Sequence, residues 1–471
     1  MGDTDSTSGA PPRRPAADRL PGSWGARPTG VPATVPPPYL PLGFLAAAAV
    51  GLVACGVAVA LVRTSATTDP TADPVVAAVH LGVLATLATG ILGALHQFTP
   101  VITGRPLRSV RRGVATLVTW VLASWLLVAG VAGGYPAIAA LSGVLALLAI
   151  VLVVTNLAGP LRVAGKGAPV LGLRLSLVGA VLTSLLGMTF VLDRRESWFG
   201  LSGHADVAMG VVGLVAWLGV TYMGVAQKLW PMFLLAHVPT RRPVGTYAVS
   251  LSFAGSTTLA VGLGWGISAA GVLGAATLAA GVAAHVGSLL IHVRHRRRGV
   301  DVYLVVTLTS AGWLVPAAGL GLASELVVGS HHHVGVALAA GALAAVGGWL
   351  LEALVGHAHK VVPFIVWSML RAWGVAQGPA GRPLMFSDLY NATAFVASYV
   401  TTTLGIAGLC AGLASAVPAL VATGGVLLAL SGLVTAANLA IVPWRLAHTV
   451  ATRATGPAVP PSPGHDLVAS R

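Results

Sequence analysis

Fourteen histidines stand in a chain in which charged residues make up only 8% of the sequence. Those embedded in apolar runs are the first candidates for chemistry, because an ionisable side chain inside a hydrocarbon layer must have its desolvation compensated. Neutral imidazole can ligate a metal, pass a proton or act as a hydrogen-bonded core residue. His80 lies about one turn inside the end of an apolar run. His204, two residues before Asp206, and the triplet His331, His332 and His333 each open another. A second set, His96, Gln227 and His359, lies toward the opposite ends of the same three runs, with Gln97, Lys228, His357 and Lys360 adjacent. Glu352 is an isolated acid, placed to shuttle a proton or to pair with Lys360 two turns on. His285 and His292 are seven residues apart, so on a helix they share a face.

These groups are spread over an apolar chain. Of 471 residues 56% are hydrophobic, whereas about 25% of an average soluble domain is charged. Runs of roughly 20 apolar residues, the length an α-helix needs to cross about 30 Å of hydrocarbon, number about twelve. They centre near residues 53, 87, 123, 146, 181, 215, 258, 282, 312, 345, 402 and 430. The pair covering 246–293 allows more than one division. The expected fold is an all-α polytopic membrane protein.

The net charge of +14 follows the helix ends rather than one nucleic-acid-binding patch. Arg105, Arg108, Arg111, Arg112, Arg162, Lys166, Lys228, Arg241, Arg242, Arg294, Arg296–Arg298, Lys360, Arg371, Arg382, Arg445 and Arg453 all fall on one side of a twelve-helix topology. The opposite connections are nearly free of Lys and Arg, except Arg63 and the mixed cluster Asp193, Arg194, Arg195 and Glu196. The positive-inside rule therefore predicts both termini in the cytoplasm. Residues 1–41, rich in Pro, Ser, Gly and Arg, and 454–471 are expected to be disordered tails. Cys55 and Cys410 fall inside spans and read as buried hydrophobes, without a disulfide framework. The twelve Trp residues read mostly as interfacial anchors near helix ends. No phosphate-binding loop, zinc-protease motif or nucleophile-elbow motif is present, which speaks against ATP-driven or hydrolytic chemistry.

An internal repeat orders the helices. The octets Gly93-Ala-Leu-His96-Gln-Phe-Thr-Pro100, Gly224-Val-Ala-Gln227-Lys-Leu-Trp-Pro231 and Gly356-His-Ala-His359-Lys-Val-Val-Pro363 close the second, sixth and tenth runs. Their prolines are 131 and 132 residues apart. The period is four helices, giving three pseudo-symmetric arcs over roughly 42–160, 161–295 and 296–453. His96, Gln227 and His359 then share one depth. They line a common polar vestibule or a proton path, or else cap helices and hold lipid headgroups.

Twelve helices in three such arcs resemble the haem-copper oxidase subunit I superfamily, in particular its C-type branch and the NnrS-like membrane haem proteins. In that family the second, sixth and tenth helices carry a His thirteen residues before Gly and twenty before Pro. The second helix matches throughout, with His80, Gly93 and Pro100; Val211 and Leu343 stand at the other two ligand positions. The resemblance makes His80 an axial haem ligand, or, outside that role, a hydrogen-bonded core or interfacial histidine. His331 and His333 are similar to the family's axial His pair, and the segment Gly203-His204-Ala205-Asp206-Val207 is similar to its Gly-His-x-Glu-Val segment. Measured from the Gly anchors, His204 and His333 lie seven and ten residues too far out, roughly 10 and 15 Å. A kink in the Gly-rich stretch Gly335–Gly348 would repair that register.

The triplet thus has three readings: haem ligands, a Cu or Zn site of His332 with His204 and Asp206, or a solvated helix cap. The seventh run has no His where the oxidases hold copper, so oxygen reduction at a haem-copper centre is not expected. The resemblance implies a bacterial cytoplasmic-membrane protein, haem-binding, with an electron-transfer, gas-sensing or respiratory accessory role and redox partners in the bilayer. The alternatives are a metal-handling or transport protein on the same scaffold, or a cofactor-free assembly partner of a respiratory complex.

Overall fold

The computed structural model describes residues 35–196, 198–202, 204–238, 243–327, 329–372 and 382–455. The N-terminal tail to residue 34, Arg241, Arg242 and the C-terminal residues from 456 lie outside the described residues, as do the side chains of Arg194, Arg195, Glu196, Arg445 and Arg453. Among the described residues there are twelve helices long and apolar enough to span a membrane. They are α1 (Tyr39–Leu61), α2 (Asp73–Thr103), α3 (Val110–Ala132), α4 (Pro136–Arg162), α5 (Ala168–Phe190), α6 (Ala205–Leu234), α7 (Val244–Trp265), α8 (Ser268–Arg294), α9 (Val302–Val327), α10 (His332–Arg371), α11 (Ala392–Ala414) and α12 (Pro418–Val442). The chain is a multi-pass α-helical membrane protein. Every expected run centre falls inside one of these helices, and the ambiguous pair divides at residues 266–267.

Burial separates the helices into a centre and a rim. In the most apolar stretch of α6, 83% of the residues are buried, and in that of α2, 67%, against 17% in α8. α2, α6 and α10 meet one another at the middle: Gly90 of α2 lies under Leu354 of α10, and Gly219 of α6 lies under Trp349 of α10. The third and fourth helices of each arc pack as antiparallel hairpins, α3 with α4, α7 with α8 and α11 with α12, and α12 also packs on α1.

The octet repeat has a backbone counterpart that its own residues do not reveal. α2 is π-helical over Leu81–Ala88 and α6 over Val212–Gly219, two eight-residue segments offset by 131 positions. Each helix then ends on a left-handed residue at the same offset, Gly104 and Leu235. A π turn leaves backbone carbonyls without their usual i→i−4 partners, and the arc supplies substitutes. The Thr89 hydroxyl donates to Leu84 O at 2.8 Å, and the Trp120 indole N–H donates to Thr89 Oγ1 at 3.1 Å. Against each widened turn lies a glycine of the arc's first helix. Gly51 of α1 is pressed on the Ala85 carbonyl and Gly179 of α5 on the Ala216 carbonyl, so a Cβ at either place would collide with backbone.

The third arc places its irregularity elsewhere. α10 is an unbroken α-helix through Gly335–Gly348, so the kink that would repair the histidine register is absent. It is α9 that breaks, between Gly312 and Leu314, and Gly312 has open space where a Cβ would stand. A further device recurs in the first and third arcs. Asn156 of α4 accepts from the Ser109 backbone N–H at 2.9 Å, and Asn438 of α12 accepts from the Asn391 N–H at 2.8 Å, each 47 residues apart.

Candidate functional site: a buried aromatic and histidine chamber

Polar and aromatic side chains converge between α6, α8, α9 and α10. From α6 come Tyr222 and Trp230, with Phe233 below; from α10 come Trp349, His357 and Lys360. The spacing of eight and then three residues along each helix puts each set on one stripe. α8 contributes His285 and α9 contributes Tyr303. All are buried: Trp230 and His285 are 0% exposed, Tyr303 and Trp349 1%, Tyr222 7% and His357 9%. The Tyr222 ring stands at the centre, 5.5 Å from His357, 5.6 Å from Trp349 and 5.8 Å from His285, each edge to face.

The hydrogen bonds fix one proton arrangement. His357 Nδ1 is 2.7 Å from the Ala353 carbonyl, which can only accept, so Nδ1 carries the proton. In the neutral ring Nε2 is then an acceptor, and the Tyr303 hydroxyl, 3.0 Å away, donates to it. Tyr303 is held from below by the basic end of the bundle. Lys360 Nζ lies 5.3 Å from its ring centroid and 3.1 Å from Asp301 Oδ2. Arg298 reaches the same carboxylate oxygen at 3.1 Å, while Asp301 Oδ1 caps α9 by accepting from Leu304 N–H at 2.9 Å. Lys360 thus pairs with Asp301 rather than with Glu352.

Glu352 faces away from the chamber. Its carboxylate accepts from the Thr309 hydroxyl, from the Trp313 indole at 2.7 Å and from the Thr403 hydroxyl at 3.1 Å, so it ties α9, α10 and α11 together at the break in α9. The tryptophans divide likewise. Trp120, Trp217, Trp230 and Trp349 are core residues, 2% exposed or less, and Trp120 meets Trp217 edge to face at 5.6 Å between α3 and α6. These four are not interfacial anchors. Cys55 and Cys410 are buried free thiols.

The polar residues of the octets do not form one vestibule. Each turns to the third helix of its own arc. His96 lies beside Gly113 of α3 and stacks on Phe44 at 5.3 Å, Gln227 lies beside Gly245 of α7, and His359 stacks on Phe395 of α11 at 4.5 Å. His96 and His359 each give Nδ1–H to the carbonyl one turn back, at 2.8 and 2.9 Å.

The residues expected to hold haem or metal are set apart. His80, near the start of α2, gives Nδ1–H to Val76 O at 2.7 Å. His331, His332 and His333 are exposed at the start of α10. Leu343, ten residues further in, occupies the ligand-equivalent position of α10 and packs on Gly210, beside Val211. The cavity between α1, α2, α10 and α12, lined by Ala48, Ala49, Thr86, Leu354 and Ala358 among others, holds about 20 Å³, far below the 300 Å³ or more of a cofactor site. The donor set and the packing do not fit a haem held between His80 and the triplet. No three His, Cys, Asp or Glu side chains among the described residues converge to hold an ion; His204, Asp206 and His332 are exposed and form no such group.

Of the chamber, the sequence had marked His285, His357 and Lys360, but not Tyr222, Trp230, Tyr303 or Trp349. The shared spacing of eight and three residues on α6 and α10 was the available signal. No family model matches the chain, and no curated protein matches it at a significant level.

Proposed function

We propose that this protein is a proton-handling transport protein of the membrane, built on a twelve-helix scaffold akin to haem-copper oxidase subunit I, with its basic face in the cytoplasm. The observation that carries the reading is the buried Tyr303–His357 hydrogen bond, flanked on one side by Lys360, over the Tyr303 ring, and Asp301 at the basic face and on the other by the Tyr222 and His285 rings. Files of ionisable groups inside a bundle are the usual material of proton relays. In the relay the Tyr303 O–H proton passes to His357 Nε2, the Lys360 ammonium over the ring offsets the phenolate left behind, and a proton from the basic face restores the phenol. Onward transfer requires the His357 ring to turn from Ala353 toward Tyr222, because a carbonyl cannot accept the Nδ1 proton. Breaking that bond from the imidazolium costs about 1.5–3 kcal/mol.

Kinship with the oxidase superfamily is supported by the octets, by His80 with Gly93 and Pro100, and by the matched π segments. A haem electron-transfer role is not part of the proposal, since the histidines that would hold the iron do not meet. Proton uptake into proteoliposomes under an imposed potential tests the relay. Wild type should conduct, and Tyr303→Phe, which keeps the ring and removes the proton donor, should lower the rate at least tenfold. Equal rates would refute the relay.

A further inference from the structure

The Tyr303–His357 relay ends at a cage in which several buried hydrogen-bonding groups lack a partner. His285 is fully buried, and neither ring nitrogen makes a hydrogen bond. Trp230 lies 5.1 Å from it and Trp349 5.5 Å from it, ring to ring; the Trp349 indole N–H makes no hydrogen bond, and that of Trp230 has only the Tyr222 hydroxyl beside it, outside regular hydrogen-bond geometry. One turn along α8, Ser288 donates to Gln227 Oε1 at 2.9 Å, which leaves the Gln227 amide N–H groups free. Buried polar groups are nearly always satisfied, and each one left over costs about 1–3 kcal/mol. Several such groups at one place point to a guest.

The chemistry of the cage selects that guest. Trp230 and Trp349 offer N–H donors, and His285 adds one more, or two when protonated. Lys and Arg are missing from these contacts. A donor-rich shell around an imidazole suits a small anion, provided that His285 carries the compensating charge: an anion or an imidazolium alone does not repay its desolvation there, whereas the pair does so when the indole N–H groups also bond the anion. We infer that the Trp230–His285–Trp349 cage binds a small monovalent inorganic anion together with a proton on His285. Resting on the relay proposed above, this places a proton-linked anion site at the inner end of the relay, while the relay itself conducts protons without the anion.

The ionisable groups around His285 are few. α6 presents Tyr222; one layer further in stand His357 of α10, Tyr303 of α9 and His292 of α8, the last 6.0 Å from Trp230. α7 carries only the exposed Tyr247, and Glu352 faces α9 and α11.

Chloride is the probe. The melting temperature of the purified full chain is followed against chloride concentration, with gluconate holding ionic strength constant, at pH 5.5 and 7.5. One proton per anion makes the apparent chloride affinity tighten up to tenfold for each unit of pH lowered, by reciprocal linkage. Saturable stabilisation with that slope, weakened at least tenfold in Trp349→Phe and made pH-independent in His285→Asn, is the expected result. If His285→Asn does not fold, Trp230→Phe takes its place, with weakened chloride binding expected. Stabilisation that is absent, indifferent to pH or unchanged in the tryptophan variants overturns the inference. Proton flux measured with gluconate on both sides keeps the two readings apart, since loss of flux in Tyr303→Phe depends on the relay alone.

Discussion

At the scale of single residues, the pair that matters is a phenol and an imidazole with one orientation of the proton between them. Removing the Tyr303 hydroxyl leaves His357 Nε2 without a donor. Tyr303→Phe should therefore cost about 1–3 kcal/mol of stability, read as a lower melting temperature of the detergent-solubilised protein, in addition to its effect on flux. His357 was visible in the sequence as a histidine in an apolar run, but its partner was not. A tyrosine 54 residues away becomes relevant only when α9 and α10 are packed, and no local pattern records that packing. Glu352 shows the converse. Its isolation suggested chemistry, yet three donors from α9 and α11 fix it as a cross-link. The nearest cation, Lys360, is held by an aspartate that caps α9.

At the scale of elements, the π segments of α2 and α6 make a prediction of unusual sign. Replacing a helix-interior glycine by alanine ordinarily stabilises a helix by up to about 1 kcal/mol. Gly51→Ala and Gly179→Ala should instead each destabilise by about 1–3 kcal/mol, because the added methyl meets the Ala85 or Ala216 carbonyl of a widened turn. Gly312→Ala, at the corresponding place in the third arc, should be neutral or stabilising, since nothing lies within 4 Å of its Cβ. Melting temperatures of the three variants decide the matter, and a uniform response would contradict this packing. The repeat period of 131 was legible from the octets. The wide turns were not, because a stretch such as Leu81–Ala88 is apolar at nearly every position and carries no 3.6-residue signal to be broken. Gly82 and Gly213, 131 apart at the second position of each segment, were the faint trace.

For the whole molecule, the helix number and the all-α class were readable because hydrocarbon thickness sets helix length and backbone satisfaction forbids open strands. Which face of each helix turns inward was not, since uniformly apolar helices distinguish their faces only by packing; that is why His96, Gln227 and His359, alike in sequence place, turn to three separate helices. The arginine asymmetry predicts an orientation with both termini in the cytoplasm. A fluorescent protein fused after residue 455 should fluoresce and alkaline phosphatase at the same place should be inactive; active phosphatase would invert the topology. The outer histidines make a spectral prediction too. His80→Ala should leave the visible spectrum of the purified protein unchanged, and loss of a Soret band in that variant would restore the haem reading.

The central claim is that protons travel through the chamber between α6, α8, α9 and α10 and not through the buried acid behind it. Proton flux of His357→Phe and Glu352→Gln, reconstituted side by side with wild type, tests this most directly. The account predicts that His357→Phe loses flux at least tenfold while Glu352→Gln conducts within about twofold of wild type and pays only in melting temperature. Unimpaired flux in His357→Phe, or a collapse of flux in folded Glu352→Gln, would contradict it.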